Sequence, residues 1–181
     1  MGPEAVAPVT AVVLVGMMGA GKSTVGELLA GRLGWRFIDL DCEIERATGL
    51  SVPEIFAAKG EAVFRSLERE LTSRVACTRS FVLAPGGGWI LDRDNPASMP
   101  AGTRFVWLRV SPDVAVRRIT RENRERPLLR GDDPVRRARQ IAAEREPLYR
   151  ALGQAFDTDT REPADVAAEI AEWIAQCNRA S

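Results

Sequence analysis

The stretch that decides the fold is GMMGAGKS at residues 16–23, which follows the apolar run VTAVVLV at residues 9–15. It matches the GxxxxGK[ST] pattern of a phosphate-binding loop and lies between a predicted strand and a predicted helix, the context that the pattern requires. Glycines let backbone N–H groups turn inward around phosphate oxygens, and the helix start adds its positive dipole. Lys22 can contact the β- and γ-phosphates, and Ser23 can bind Mg²⁺. The segment predicts a nucleoside triphosphate site; the alternative is a glycine-rich turn with a chance Lys-Ser pair.

Outward from this loop, short β-type runs alternate with longer helical patterns. Strands are predicted at residues 9–15, 36–39, 81–84, 104–110 and, more weakly, 154–157. A helix is predicted over residues 22–33, with Gly34 as its stop, and a last one over about residues 163–177. Strands separated by helices pair in parallel through crossovers. We therefore predict one α/β domain over residues 1–181, built on a three-layer, doubly wound, five-stranded parallel sheet.

Two stretches are predicted to be insertions on this core. Residues 41–77 have a helical pattern throughout, broken near Gly49 and Gly60. Residues 120–134 are dense in charge and have few apolar side chains, which predicts a mobile flap.

Composition excludes several function classes. The 181 residues include no histidine, so Ser-His-Asp and Cys-His nucleophile systems and imidazole zinc sites are excluded. The 25 Lys+Arg balance 25 Asp+Glu, which argues against a surface built to bind nucleic acid or an anionic membrane. No apolar run approaches the ~20 residues of a membrane span, and three scattered cysteines indicate no disulfide framework. We expect a cytoplasmic monomer with no nucleic-acid or membrane partner.

Two carboxylates follow the second predicted strand, in the run FIDLD at residues 37–41. In open α/β sheets, ligands bind beyond the carboxyl ends of the strands. We expect Asp39 to face the phosphate loop and hold Mg²⁺ together with Ser23. Asp41 is expected to orient an acceptor hydroxyl or accept its proton. The alternative is that the two residues cap the next helix, because Asp is a favoured N-cap residue.

From Asp39 to Glu68 the sequence resembles the shikimate kinases, which pair an Asp-x-Asp with a Gly-Glu-x-x-Phe-Arg segment, here GEAVFR at residues 60–65. Further family marks follow in order: the triple glycine at 86–88, RPLL at 126–129 and REPLY at 145–149. The resemblance extends from about Val12 to Trp173. It implies a P-loop kinase that transfers the γ-phosphoryl group of ATP, with Mg²⁺, to the 3-hydroxyl of shikimate, a step of aromatic amino acid biosynthesis. Residues 41–77 would be the substrate-binding insertion and residues 120–134 the lid.

The resemblance also implies roles for individual residues. The acceptor site would consist of Asp41, Arg65, Gly86, Gly87, Gly88 and Arg145, the two arginines clamping the carboxylate of shikimate. The catalytic groups would be Lys22, Asp41 and Arg126, with Arg126 closing from the lid onto the transferring phosphoryl group. The nucleotide and its metal would be bound by Gly19, Ala20, Gly21, Lys22, Ser23, Thr24, Asp39, Arg118, Arg126 and Arg161.

Plainer explanations exist for several of these residues. Arg65 can form an exposed i,i+4 ion pair with Glu61, worth about 0.3–0.5 kcal/mol. Arg145 can lie on a solvated helix face, Arg126 in a charged solvated loop, and the glycines can be a flexible exit from a strand.

Trp89 and Pro85 flank the triple glycine and depart from the family pattern, which usually has a small residue after the glycines. A ring at Trp89 either reshapes the acceptor pocket or points into the core behind the glycines. Two other functions therefore stay open: a related kinase acting on another carboxylated polyol or a cyclitol, and a kinase-like domain that senses a small molecule without turnover. The two arginines, Arg65 and Arg145, favour an acceptor that carries a carboxylate.

Overall fold

The computed structural model describes residues 8–121 and 133–179. Its sheet has five parallel strands in the spatial order β2-β3-β1-β4-β5. The strands are β1 (Ala11–Val15), β2 (Arg36–Asp39), β3 (Phe81–Ala84), β4 (Thr103–Arg109) and β5 (Gln154–Asp157). The predicted fold class is confirmed, and β2, β3 and β5 have the predicted bounds.

Two predicted strands were too long at one end. Val9 and Val110 are apolar and buried, which made them look like strand residues, yet both lie outside the ladder. The Val9 N–H donates to Oδ1 of Asn178, 2.8 Å away, instead of to a neighbouring strand. The apolar, buried character of a residue therefore does not show whether the residue still pairs with a neighbouring strand.

Helices cover both faces of the sheet. They are α1 (Lys22–Leu33), α2 (Leu40–Thr48), α3 (Val52–Ala76), α4 (Asp94–Ala97), α5 (Pro112–Arg121), α6 (Pro134–Leu152) and α7 (Pro163–Arg179), with a 3₁₀ turn at Trp89–Leu91. None of the helices in the described ranges is long and apolar enough to cross a membrane.

The core has two layers because β1 is buried on both of its faces. Val12 and Leu14 pack in one apolar cluster with residues of α1, α5 and α7, whereas Ala11 and Val13 pack in the other with residues of α2 and α3. A strand enclosed in this way needs apolar residues at every position, which explains the continuous run that predicted it.

The segment 41–77 is helical with interruptions where they were predicted. Gly49 ends α2 in the left-handed conformation at φ +69°, a Ser51–Glu54 capping box opens α3, and Gly60 puts a kink into α3 at φ +80°. The boundaries of the predicted flap 120–134 were too wide, because Thr120 belongs to α5 and Pro134 opens α6. Residues 122–132 of the flap, including Arg126, lie outside the described residues.

Candidate active site

The phosphate loop joins β1 to α1 and has room only for glycine at two of its positions. A Cβ on Gly16 would lie 2.6 Å from the Leu108 carbonyl oxygen, and one on Gly19 would lie 2.6 Å from the Ala115 carbonyl oxygen. Gly19 and Gly21 also have positive φ, at +77° and +86°, which side chains rarely adopt. The loop is therefore packed tightly against the start of α5 and the end of β4.

The Lys22 ammonium group lies against the backbone of the phosphate loop. Lys22 Nζ donates to the carbonyl oxygens of Gly16 and Met17 at 2.9 and 3.1 Å. Next to it, Ala20 is buried and Thr24 is exposed on the first turn of α1. This geometry is that of a phosphate cradle, with an ammonium group at its mouth and a helix N-terminus behind it.

Ser23 and Asp39 come together across the cleft between α1 and β2. The Ser23 hydroxyl donates to Oδ2 of Asp39 at 2.5 Å, while Oδ1 of Asp39 accepts the Cys42 N–H at 3.2 Å and so caps α2. The capping alternative thus applies to Asp39, and the structure also brings Asp39 into contact with Ser23, its expected partner in a metal site. Within residues 8–121 and 133–179 no group of three or more His, Cys, Asp or Glu side chains is arranged so that it could hold a metal ion by itself. A hydroxyl and one carboxylate suit Mg²⁺, which keeps several waters and takes further oxygens from phosphates.

The triple glycine after β3 is the point at which the predicted acceptor residues meet. A Cβ on Gly86 would lie 3.1 Å from Oδ1 of Asp41, one on Gly87 3.6 Å from Nη1 of Arg145, and one on Gly88 2.4 Å from Nη2 of Arg65. The structure therefore brings Asp41, Arg65 and Arg145 around one short stretch of backbone, and a Cβ on Gly88 would require the Arg65 guanidinium to shift.

Arg65 is held by two carboxylates of its own helix. Its Nη2 donates to Glu61 at 3.0 Å and its Nη1 to Glu68 at 2.8 Å. The ion pair with Glu61 is the plainer explanation considered for Arg65, and it does form. The arginine is nevertheless only 20% exposed and faces the glycines, so the pair fixes the guanidinium at the cleft.

Glu68 is a site residue that the sequence reasoning missed. Its side chain is 1% exposed, and Oε1 has no protein partner among the described residues. Burial, with a smaller contribution from the charge of Asp41, raises the pKa of Glu68 to about 7 against the lowering effect of Arg65. The available signal was its i,i+3 spacing from Arg65, but spacing does not indicate whether a carboxylate is buried.

Arg145 lies on the buried side of α6, not on a solvated face. It is 6% exposed, and its Nε and Nη1 have no hydrogen-bond acceptor among the described residues. Tyr149, one turn later, donates its hydroxyl to the Gly87 carbonyl at 2.7 Å and stacks on Trp107 with ring centroids 6.2 Å apart. Buried guanidinium donors without acceptors are costly unless an anion binds them.

The two arginines expected near the nucleotide base have different surroundings. Arg118 donates to the Gly19 carbonyl at 3.3 Å and to the Thr158 carbonyl, so it joins the phosphate loop to the loop after β5. Arg161 pairs with Glu169 and reaches the Asp165 carbonyl at 3.4 Å, both on α7. Only Arg118 of the two contacts the phosphate loop.

Trp89 points into the core behind the glycines, the second of the two orientations considered. Its side chain is fully buried, and its indole N–H donates to the Thr72 hydroxyl at 2.9 Å. The ring therefore does not occupy the acceptor cleft, and the departure from the family pattern leaves the cleft open.

A family model described as shikimate kinase matches residues 18–175. The chain belongs to the shikimate kinase family. It is accordingly an ATP-dependent phosphotransferase, as the resemblance implied. The shikimate kinase of Moorella thermoacetica is 46% identical to it over 166 residues, which cover 90% of this chain and 93% of the relative.

The structure is also similar to solved structures of shikimate kinases. The shikimate kinase of Acinetobacter baumannii, solved in complex with shikimate, has a TM-score of 0.85 and 35% identity, covering 93% of this chain and 94% of that one. The Bacteroides thetaiotaomicron shikimate kinase has a TM-score of 0.83 and 33% identity, covering 91% and 98%. A gluconokinase from Sinorhizobium meliloti, at a TM-score of 0.60 and 21% identity, shares the fold.

Proposed function

We propose that this chain transfers the γ-phosphoryl group of MgATP to the 3-hydroxyl of shikimate, releasing ADP and shikimate 3-phosphate. The observation that carries the proposal is the buried Arg145 guanidinium, whose Nε and Nη1 have no acceptor among the described residues, beside the triple glycine that Arg65 also faces. Two guanidinium groups at one end of a small cleft select a carboxylate. The A. baumannii relative, which is similar over most of its length, was solved with shikimate bound.

The other side of the cleft suits the hydroxyl groups of the acceptor. A Cβ on Gly86 would meet Oδ1 of Asp41 at 3.1 Å and Oε1 of Glu68 at 3.4 Å, so two carboxyl groups face the same glycine. Asp41 would accept hydrogen bonds from ring hydroxyls and orient the one that attacks. The site is therefore cationic towards one end and anionic towards the other, which matches a hydroxylated acid.

The phosphate donor would lie on the opposite side of the glycines. Backbone N–H groups of residues 19–24 and the Lys22 ammonium would hold the β- and γ-phosphates. Ser23 and Asp39 would hold Mg²⁺, which neutralises phosphate charge when bound. We propose that Arg118 lies beside the adenine, since it already joins the phosphate loop to the loop after β5. Arg161 is assigned to the same region on the resemblance alone.

The chemistry requires positioning and charge stabilisation more than proton transfer. Phosphoryl transfer passes through a loose transition state with charge on the peripheral oxygens. Lys22 would stabilise that charge, Arg126 would do so from the lid, and Asp41 would hold the attacking hydroxyl in line. A carboxylate is sufficient for this task, so the absence of histidine is no obstacle.

For the surroundings of the enzyme we propose a monomer that acts in the cytoplasm, binds its small substrates without nucleic acid or membrane, and comprises one domain with a helical acceptor-binding insertion and a lid. The balanced charge of +0 supports this assignment.

The test is ADP release from MgATP across a panel of shikimate, quinate and gluconate, with Lys22→Ala as the inactive control. We expect shikimate alone to stimulate ADP release well above background hydrolysis. Stimulation by another panel member and none by shikimate would show that the acceptor is wrongly assigned, while leaving the kinase activity intact.

A further inference from the structure

Trp89 follows the triple glycine directly and is held at both its ring and its backbone. The indole Nε1–H donates to the Thr72 hydroxyl at 2.9 Å, and Nδ2 of Asn95 donates to the Trp89 carbonyl at 3.0 Å. Trp89 and Thr72 are 0% exposed and Asn95 is 1% exposed. The residue next to the acceptor loop is thus fixed by directional contacts in an otherwise apolar cluster.

Thr72 lies on α3, the helix that carries Arg65. The spacing of residues 65, 68 and 72 places Arg65, Glu68 and Thr72 on one face of the helix. The glycine loop lies along the same face, because a Cβ on Gly88 would be 2.4 Å from Arg65 and one on Gly86 would be 3.4 Å from Glu68. The Trp89 ring therefore ties the loop to the helix one turn beyond Glu68 and two turns beyond Arg65.

We propose that the Trp89–Thr72 hydrogen bond is a positioning contact that sets the distance between the triple glycine and Arg65, and thereby the fit of the acceptor carboxylate. The inference rests on the proposed function, because the proposed function is what assigns Arg65 to the acceptor carboxylate. Apolar contacts around the ring resist separation but have no preferred direction. A buried hydrogen bond does have a preferred direction. Breaking this one would leave the indole N–H unpaired in the core, which costs free energy. The pair therefore restricts sliding of the loop along α3, which packing alone does not.

Two substitutions at Thr72 separate the hydrogen bond from the packing. Thr72→Val keeps the shape of the side chain and removes the acceptor oxygen, whereas Thr72→Ser keeps the oxygen and removes a methyl group. Both lower stability, through an unpaired donor in one and a small cavity in the other. Only Thr72→Val is expected to change the acceptor site.

The experiment measures initial rates of ADP release against shikimate at saturating MgATP, and against MgATP at saturating shikimate, together with Tm. Thr72→Val is expected to raise KM for shikimate about three- to tenfold, the loss of one net hydrogen bond. Its KM for ATP and its kcat should stay within about twofold of the wild type, and Thr72→Ser should keep the wild-type KM for shikimate. Trp89→Phe, which keeps an apolar ring and removes the N–H, should behave as Thr72→Val does and is the substitute should that variant not fold.

A fall in Tm of Thr72→Val with an unchanged KM for shikimate would overturn the proposal, because the contact would then be structural only. Equal rises in KM for Thr72→Val and Thr72→Ser would also overturn it, since packing and not the hydrogen bond would be responsible. If the wild-type chain used a different panel acceptor, the assignment of shikimate would fail by itself, and the same variants would be measured with that acceptor.

Discussion

Gly88→Ala tests whether the cleft described above is the acceptor site. Gly88 has φ −92° and ψ −8°, a conformation that alanine adopts without strain, so the effect of the substitution is steric. The added Cβ would lie 2.4 Å from Nη2 of Arg65, and that nitrogen must move by about 1 Å to reach an ordinary contact distance. The hydrogen bonds that the Arg65 guanidinium donates, from Nη2 to Glu61 at 3.0 Å and from Nη1 to Glu68 at 2.8 Å, would be strained or broken by such a movement.

The displaced guanidinium can no longer meet a carboxylate in the correct geometry. A charge-assisted hydrogen bond contributes about 1.5–3 kcal/mol, so KM for shikimate should rise about 10- to 100-fold. KM for ATP should change little, because the three atoms nearest to the added Cβ all belong to the Arg65 guanidinium. The assay is the initial rate of ADP release as a function of shikimate at saturating MgATP.

Gly31→Ala is the matched control. Gly31 lies inside α1, and a Cβ there would meet nothing within 4 Å. Replacing it should leave both KM values unchanged and raise stability by up to about 1 kcal/mol, as expected for glycine in a helix interior. If Gly88→Ala kept the wild-type KM for shikimate, Arg65 would not bind the acceptor.

Three further substitutions test the other parts of the site. Glu68→Gln removes a carboxyl group whose pKa is raised to about 7 in the folded protein. Because the folded wild type holds this proton more tightly than the unfolded chain does, the Tm of the wild type should fall relative to that of the variant as the pH rises from about 4.5 to about 7. Parallel Tm profiles over that range would contradict the raised pKa. Arg145→Met should lower the affinity for shikimate by at least tenfold while its Tm stays level or rises, since it removes a buried guanidinium whose Nε and Nη1 have no acceptor among the described residues. Unaltered shikimate binding in a thermal-shift or calorimetric titration would show that Arg145 does not bind the carboxylate. Ser23→Ala should raise the Mg²⁺ concentration needed for half-maximal rate by roughly tenfold, and an unchanged Mg²⁺ requirement would argue against the metal role of Ser23.

Local sequence patterns were sufficient for the fold because each element is locally consistent with it. β1 is apolar at every position since both its faces are buried, and the glycines at 34 and 49 end their helices in the left-handed conformation. The site was predictable to the extent that it is contained in contiguous motifs, as with Lys22 and Ser23.

The burial of Glu68 and the orientation of Trp89 could not be predicted from the sequence, because both depend on contacts between distant segments of the chain. Glu68 resembles any exposed acidic residue of a charged helix until the glycine loop covers it. The orientation of Trp89 depends on Thr72, which lies 17 positions earlier in the sequence. Neither relation has a local signature, because the strand and loop between these residues determine which helix face they meet.

Asp39 has a consequence for how mutational data on this enzyme can be interpreted. One oxygen of its carboxylate starts α2 by accepting the Cys42 N–H, and the other accepts the Ser23 hydroxyl. Removing the side chain therefore also uncaps the helix that begins with Leu40 and Asp41, and a loss of activity in Asp39→Ala would combine two causes. The proposed metal site and the start of the helix that carries Asp41 therefore share this one residue. A substitution that alters the proposed metal site without uncapping α2 therefore has to keep a capping side chain, such as Asn, Ser or Thr.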